Sequence, residues 1–309
     1  MIEHKGSVLL TAPFFTNPRF GDVRPRIVRL MRSSPRVHSN GEEIERFLPR
    51  AADRASTILV GHGHYDHLMD IPYIATRRAI SAIVYGGPSV RHMLMGDSTL
   101  RANPRRVVAI DSSEAGDTLH SGHWIYSSDS GFRFLALRAG HAPTYQLWGR
   151  AYTYANGTVR ADLDRLPTTA LGWKLGEEYS YIIDVLSDVS RKPIFRIYFQ
   201  DAASQPPLGF PSREILDERT VDVAVLCAAS SSNVKNTPDS LLSVLKPRAV
   251  IVSHWESFFR SQSRPIETGR ATDLNAIAVS LRRSLPPSTA WAAPLPQTKF
   301  RFRPSEPNS

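Results

Sequence analysis

Three histidines and one aspartate fall within six residues of the chain, in Gly61-His62-Gly63-His64-Tyr65-Asp66-His67. Imidazole nitrogens with a carboxylate are the donors that borderline divalent ions such as zinc prefer. The apolar run Ile58-Leu59-Val60 in front of them reads as a buried strand, so the donors stand on the loop where that strand ends. In an extended segment residues two apart point the same way. That predicts that His62, His64 and Asp66 converge while His67 turns aside. A lone histidine is most simply a satisfied core residue. Four ligand-type side chains at this density point to a metal.

The pattern His-x-His-x-Asp-His resembles the signature of the metallo-β-lactamase superfamily of hydrolases, which implies an α/β fold, an αββα sandwich with one or two metals. The resemblance also implies three further ligands, each at a strand end. Phe132 to Leu137 leads through Arg138-Ala139-Gly140 to His141. Ile194 to Gln200 runs into Asp201, and Ala249 to Ser253 ends at His254. Carried over residue by residue, the likeness gives His62, His64 and His141 to one ion and Asp66, His67 and His254 to a second, with Asp201 bridging. It spans roughly residues 7 to 260. What it implies is a dinuclear hydrolase with two divalent ions, zinc first and iron or manganese as alternatives, and a metal-bridging hydroxide as nucleophile. Asp66 is then also the catalytic residue, orienting the attacking group and taking up its proton.

Finer likeness points to the branch that includes N-acyl-phosphatidylethanolamine-hydrolysing phospholipase D and ascorbate-phosphate lactonase. It is carried by Tyr65 inside the motif, the long gap from His67 to His141, and His254-Trp255-Glu256. Two chemistries follow from it: hydrolysis of a phosphodiester or related anionic ester, and opening of a lactone or other carbonyl ester or amide. A metal-binding regulatory module is the reading outside enzymology. The family tends to carry an Asp in its second strand, and Thr11-Ala12 occupies that neighbourhood here. The departure puts a support of the metal site in question, not the ligands.

The remaining histidines and the cysteine fit plainer roles. His92 lies in the helix-like Val90 to Leu94, while His120 and His123 precede the strand that leads to His141. His4 and His38 are expected at the surface. Cys227, the single cysteine, ends the strand-like Val223 to Cys227 and reads as a small core residue. It excludes an intramolecular disulfide.

The elements that must hold these donors alternate along the chain. A strand, a turn at Lys5-Gly6 and a second strand open it, and the loop-rich stretch from Pro13 to Leu48 is a candidate flap. Helices are predicted from Glu42, over Ile71 to Ile80, over Ser89 to Met95 and over Pro238 to Leu245. Further strands are predicted at Ile83 to Tyr85 and Arg106 to Ile110. Such alternation is what an α/β sandwich requires. Residues 142–180 depart from it, with Tyr145, Trp148, Tyr152, Tyr154, Trp173 and Tyr179 either lining a pocket or packing a hairpin. The expected organisation is one hydrolase domain over residues 1–285 and a proline-rich, partly disordered tail over 286–309.

Composition narrows the partners. The 309 residues carry 38 basic and 29 acidic side chains, a net charge of +9. The excess is scattered rather than clustered, so it suits an anionic small-molecule or lipid-like substrate and no nucleic acid is expected. No run of 18 apolar residues exists to make a transmembrane segment. The chain as given reads as cytoplasmic, and a signal preceding Met1 would make it periplasmic. Oligomeric state leaves no mark in the sequence.

Overall fold

The computed structural model describes residues 1–23, 35–148, 150–270 and 272–304. They cluster into two compact units of interleaved chain. The first takes Met1–Ile110, Tyr154–Glu177 and Ser257–Ile266, and the second Asp111–Thr153, Glu178–Glu256 and Glu267–Ser309. Part of the candidate flap, residues 24–34, and the last five residues of the proline-rich tail lie outside the described residues.

The first unit is built on a five-stranded sheet, β1 (Ile2–His4), β2 (Ser7–Thr11), β3 (Ala55–Leu59), β4 (Ile83–Gly86) and β5 (Val107–Ala109), in that spatial order. Lys5 and Gly6 both take positive φ, the two-residue hairpin turn that the sequence predicts between β1 and β2. From β2 onward all neighbours are parallel. Parallel strands need crossovers, supplied by α1 (Phe20–Val23), α2 (Gly41–Phe47), α3 (Tyr65–Leu68), α4 (Ile71–Arg77), α5 (Pro88–Leu94) and α6 (Ser98–Ala102). β3 is buried along its whole length, its Ser56 and Thr57 included, as a central parallel strand is. Asn40 caps α2, accepting from the Glu42 and Glu43 amides.

The second unit is built on a seven-stranded sheet. Its strands are β6 (Ile125–Tyr126), β7 (Phe132–Arg138), β10 (Tyr179–Leu186), β11 (Pro193–Phe199), β12 (Val223–Cys227), β13 (Ala249–Ser253) and β14 (Ala290–Ala292). A separate hairpin joins β8 (Tyr145–Leu147) to β9 (Arg150–Tyr152). The helices are α7 (Arg213–Glu218), α8 (Asp239–Leu245) and α9 (Leu274–Ser284). β10 runs antiparallel to β7 and to β11, and β11, β12 and β13 are mutually parallel. With β14 parallel to β13, five strands therefore point one way: β7, β11, β12, β13 and β14. Each unit thus pairs one sheet with helices, the inventory of one half of an αββα sandwich.

A buried ion network fixes the register of the second sheet. Asp184 of β10 sits opposite Arg133 of β7 and Arg196 of β11. Its carboxylate accepts from the Arg133 Nε at 2.9 Å and from the Arg196 Nε at 2.7 Å. Glu218 on α7 meets both guanidinium groups, and Trp124 lies 3.9 Å under that of Arg133. Asp184 and Arg196 have no exposed surface.

The aromatic residues of 142–180 divide between two fates. Trp173 and Tyr179 are core residues. Tyr145 and Tyr152 stack on the hairpin with their rings 5.5 Å apart, and Trp148 at its turn is almost wholly exposed.

Candidate metal centre

The motif follows directly from β3, and its four donors gather inside the first unit. His62, His64 and His67 are buried. The His62 ring centroid lies 4.7 Å from that of His64 and 4.1 Å from that of His67. The Asp66 carboxylate stands 3.7 Å from His67 Nε2. The expectation that His67 turns aside is therefore corrected. The chain is extended only as far as His64 and becomes helical at Tyr65, so Asp66 and His67 obey the 3.6-residue period of α3 rather than the two-residue period of a strand.

Gly63 is required by close approach. A Cβ on it would lie 2.3 Å from the Lys174 carbonyl oxygen, and its amide donates to the Leu175 carbonyl at 2.8 Å. The segment that presses on it, 154–177, also orients a ligand. The His64 Nε2 donates to the Tyr154 carbonyl at 2.7 Å, which leaves Nδ1 as the nitrogen with a lone pair for an ion. The Tyr154 ring lies edge-on to those of His64 and Tyr65, and its hydroxyl donates to the Val23 carbonyl. Burial, with the Asp66 charge adding to it, pushes the Tyr154 phenol up, and it stays protonated.

The other three donors lie in the second unit, each just past the C-terminal end of one of the co-directional strands. His141 comes three residues after β7, Asp201 two after β11, and His254 directly after β13. All three thus sit at one edge of the sheet. The His141 Nδ1 donates to the Ala142 carbonyl at 2.6 Å, leaving Nε2 for an ion. Ser204 joins the first two loops, since its hydroxyl donates to the Gly140 carbonyl at 2.6 Å and accepts from the Gly140 amide at 3.2 Å. Asp201 is buried, and its charge adds to burial in pushing the Tyr181 phenol and the Cys227 thiol up. A thiol held protonated and buried is core, as its sequence context suggests. His254 takes φ of 54°, a left-handed conformation costly for a side chain with a Cβ, and such strain concentrates at functional positions.

The donor chemistry fits divalent metal ions. Crowded, buried imidazoles are poor partners for one another unless something between them accepts their lone pairs. The two histidines with backbone hydrogen bonds have one ring nitrogen oriented and the other left for coordination. His92 has a different employment. It pairs with Asp162 at 2.7 Å and ties α5 to the segment that covers the motif. His120 meets Asp117 at the surface.

Sequence reasoning missed Ser204 and Asp70, and it singled out Tyr154 only as one of the aromatics of 142–180, not for its carbonyl. Asp70 carries a signal, a lone acid in the apolar run Leu68-Met69-Asp70-Ile71. It is fully buried and accepts hydrogen bonds from the segment just beyond Thr11-Ala12, so the neighbourhood without the expected Asp is tied down from the motif side. Tyr154 acts on His64 through its carbonyl, which leaves no trace in residue type, and the Ser204 hydroxyl meets Gly140, 64 residues earlier in the chain.

No protein-family model and no curated protein matches the sequence. Among solved structures it is similar to Igni18, a metallo hydrolase of the hyperthermophilic archaeon Ignicoccus hospitalis, with 14% identity, 87% of each chain covered and a TM-score of 0.46. It is also similar to the metallo-β-lactamase fold protein YhfI of Bacillus subtilis, with 10% identity, 84% of this chain and 83% of that one covered and a TM-score of 0.40. A diphosphatase of the PhnP family matches with 15% identity over 98% of this chain and 83% of its own, at a TM-score of 0.45. At such distances the functional reading rests on this chain's own side chains.

Proposed function

We propose that the chain is a metal-dependent hydrolase of anionic esters, with phosphodiesters as the preferred class. Two divalent ions, zinc first, would be held by His62, His64 and His141 and by Asp66, His67 and His254, with Asp201 shared. The observation that carries the reading is the cluster of buried His62, His64 and His67 with the half-buried Asp66 beside them, in which a backbone carbonyl already selects the ligating nitrogen of His64. When bound, such ions supply Lewis acidity and lower the pKa of water from 15.7 toward 7.

The side chains do the rest. Asp66, partly open to solvent beside the buried imidazoles, orients the attacking water and accepts its proton. Tyr154 is held neutral and donates, so it adds no competing negative charge near the anion. A phosphodiester offers two non-bridging oxygens and a leaving oxygen to a paired site, where a carbonyl ester offers fewer. The net charge of +9 draws an anion toward the protein, an attraction that weakens as salt rises.

Elemental analysis after metal-replete expression, run beside a panel of chromogenic phosphodiesters, lactones and a cephalosporin, tests both halves. The expected result is close to two ions per chain, with phosphodiesters turned over fastest and more slowly at high salt. Less than about half an ion per chain would remove the metal reading. A lactone turned over far faster than any phosphodiester would replace the substrate class with carbonyl esters.

A further inference from the structure

We infer that Asp70 is a positioning residue for Asp66 and His67, because its carboxylate locks the turn at the end of their helix to the loop that follows β2. The inference rests on the metal site proposed above. Asp70 stands three residues after His67, at the junction of α3 and α4, with no exposed surface. One carboxylate oxygen accepts from the Phe15 amide at 2.7 Å and from the Thr16 amide at 2.9 Å, and the other accepts from the Thr16 hydroxyl. The Thr16 hydroxyl oxygen accepts in turn from the Asn40 amide at 2.7 Å, and the Ser39 hydroxyl donates to the Met69 carbonyl at 2.6 Å. The turn Met69-Asp70 is thus gripped by two separate stretches of chain.

The same loop reaches the other end of the helix. Phe14, next to the two residues bonded by Asp70, lies edge-on to Tyr65 at 6.1 Å between ring centroids. Tyr65 is the first residue of α3, directly before Asp66. A helix of four residues is a single turn, too short to hold its own direction, so its orientation comes from what fixes its ends. Here one loop touches both ends, and Asp70 binds that loop through three hydrogen bonds. An apolar side chain would suit this run at lower desolvation cost, so the acid is retained for what it accepts. Outer partners that orient ligand-bearing elements govern metal affinity nearly as strongly as the ligands do.

The test loads the wild-type chain and the variants Asp70→Ala, Asp70→Asn and Leu100→Ala with Co²⁺ and records the visible spectrum, which reports ligand geometry. Zn²⁺ affinity is measured in parallel by chelator competition, and amide exchange is followed at Phe15 and Thr16. Asp70→Ala should change the cobalt spectrum, weaken one zinc site by about 10–100-fold and lose protection at both amides. Asp70→Asn keeps an oxygen that can accept from both amides and should recover most of each signal. Leu100→Ala, a buried truncation on α6, should lower stability and leave the spectrum unchanged. If Asp70→Ala does not fold, Thr16→Val removes only the hydroxyl donor and should shift the spectrum in the same direction by less. A folded Asp70→Ala chain, or in its place Thr16→Val, with the wild-type spectrum and zinc affinity overturns the inference and leaves the metal site standing. A wild-type chain that takes up no metal overturns the site itself, and the inference with it.

Discussion

The two units place their donors by opposite means. In the first, four donors occupy six consecutive residues, and one strand end followed by one helical turn delivers them all. In the second, His141, Asp201 and His254 are 60 and 53 residues apart, and only the register of a sheet brings their loops to one edge. Local placement is fixed by backbone approach, at Gly63 and through the Tyr154 carbonyl. Distant placement is fixed by cross-strand chemistry, in the ion network around Asp184. A short motif and a dispersed one therefore fail for different reasons when they are broken.

The largest effects should come from each unit's central carboxylate. Asp66→Ala should lower hydrolysis by about 1,000-fold, roughly 4 kcal/mol of barrier, with the fold kept, while His92→Ala stays near wild type. Equal losses in two folded variants would put the chemistry elsewhere. Asp184→Asn leaves two buried guanidinium groups short of charge and should destabilise the chain by about 3–5 kcal/mol in urea unfolding. A loss under about 1 kcal/mol would mean that the network does not hold the sheet in register.

Gly63→Ala sharpens the contrast, because the change is one methyl group. The Met93 methyl that it meets can swing away, but the Lys174 carbonyl at the same distance is backbone and cannot, so about 3 kcal/mol of stability should be lost. The same experiment should show weaker metal uptake, since His62 and His64 flank the displaced residue. Wild-type stability would show that the 154–177 segment moves off without cost.

Asp70 provides a dependence on pH. Burial pushes its carboxyl up to about 6, against the hydrogen bonds from Phe15 and Thr16 that lower it. An unfolded Asp titrates near 3.9, so between these values the native state holds a proton that the unfolded chain has released. This contribution is fully present below pH 4 and lost as pH rises through about 6, up to about 3 kcal/mol in all. Urea unfolding of metal-free wild type and Asp70→Asn from pH 4 to 7 should therefore give stabilities whose difference changes with pH. Parallel curves would show that the buried carboxyl ionises as freely as an unfolded one.

Legibility in the sequence followed the same division. The contiguous donors were readable because identity and spacing suffice within one strand end. Their exact facing was not, because a two-residue period gives way to a helical one at Tyr65 and nothing apolar marks the change. The strand runs leading to His141, Asp201 and His254 were readable as elements from their mainly apolar character, interrupted by Arg133 in β7 and Arg196 in β11. The ion network was hidden, since Arg133, Asp184 and Arg196 look like solvated residues until β10 is placed between β7 and β11. Asp70 stood in plain sight as an acid among apolar neighbours, but its partners come 54 and 55 residues earlier in the chain.

The hydrogen bond from Gly63 to Leu175 closes a loop of more than 100 residues. During synthesis the histidine motif leaves the ribosome long before the strand of chain that must lie against it. The N-terminal sheet can form early, yet His64 gains its Tyr154 partner only after β7 and the β8–β9 hairpin have been made, and Asn17 waits for Arg260. Contacts of such sequence separation slow folding. The nascent chain thus carries the candidate metal-binding imidazoles without their Tyr154 and Leu175 contacts for about a third of its synthesis, a window in which an ion bound too soon would be held by an unfinished site.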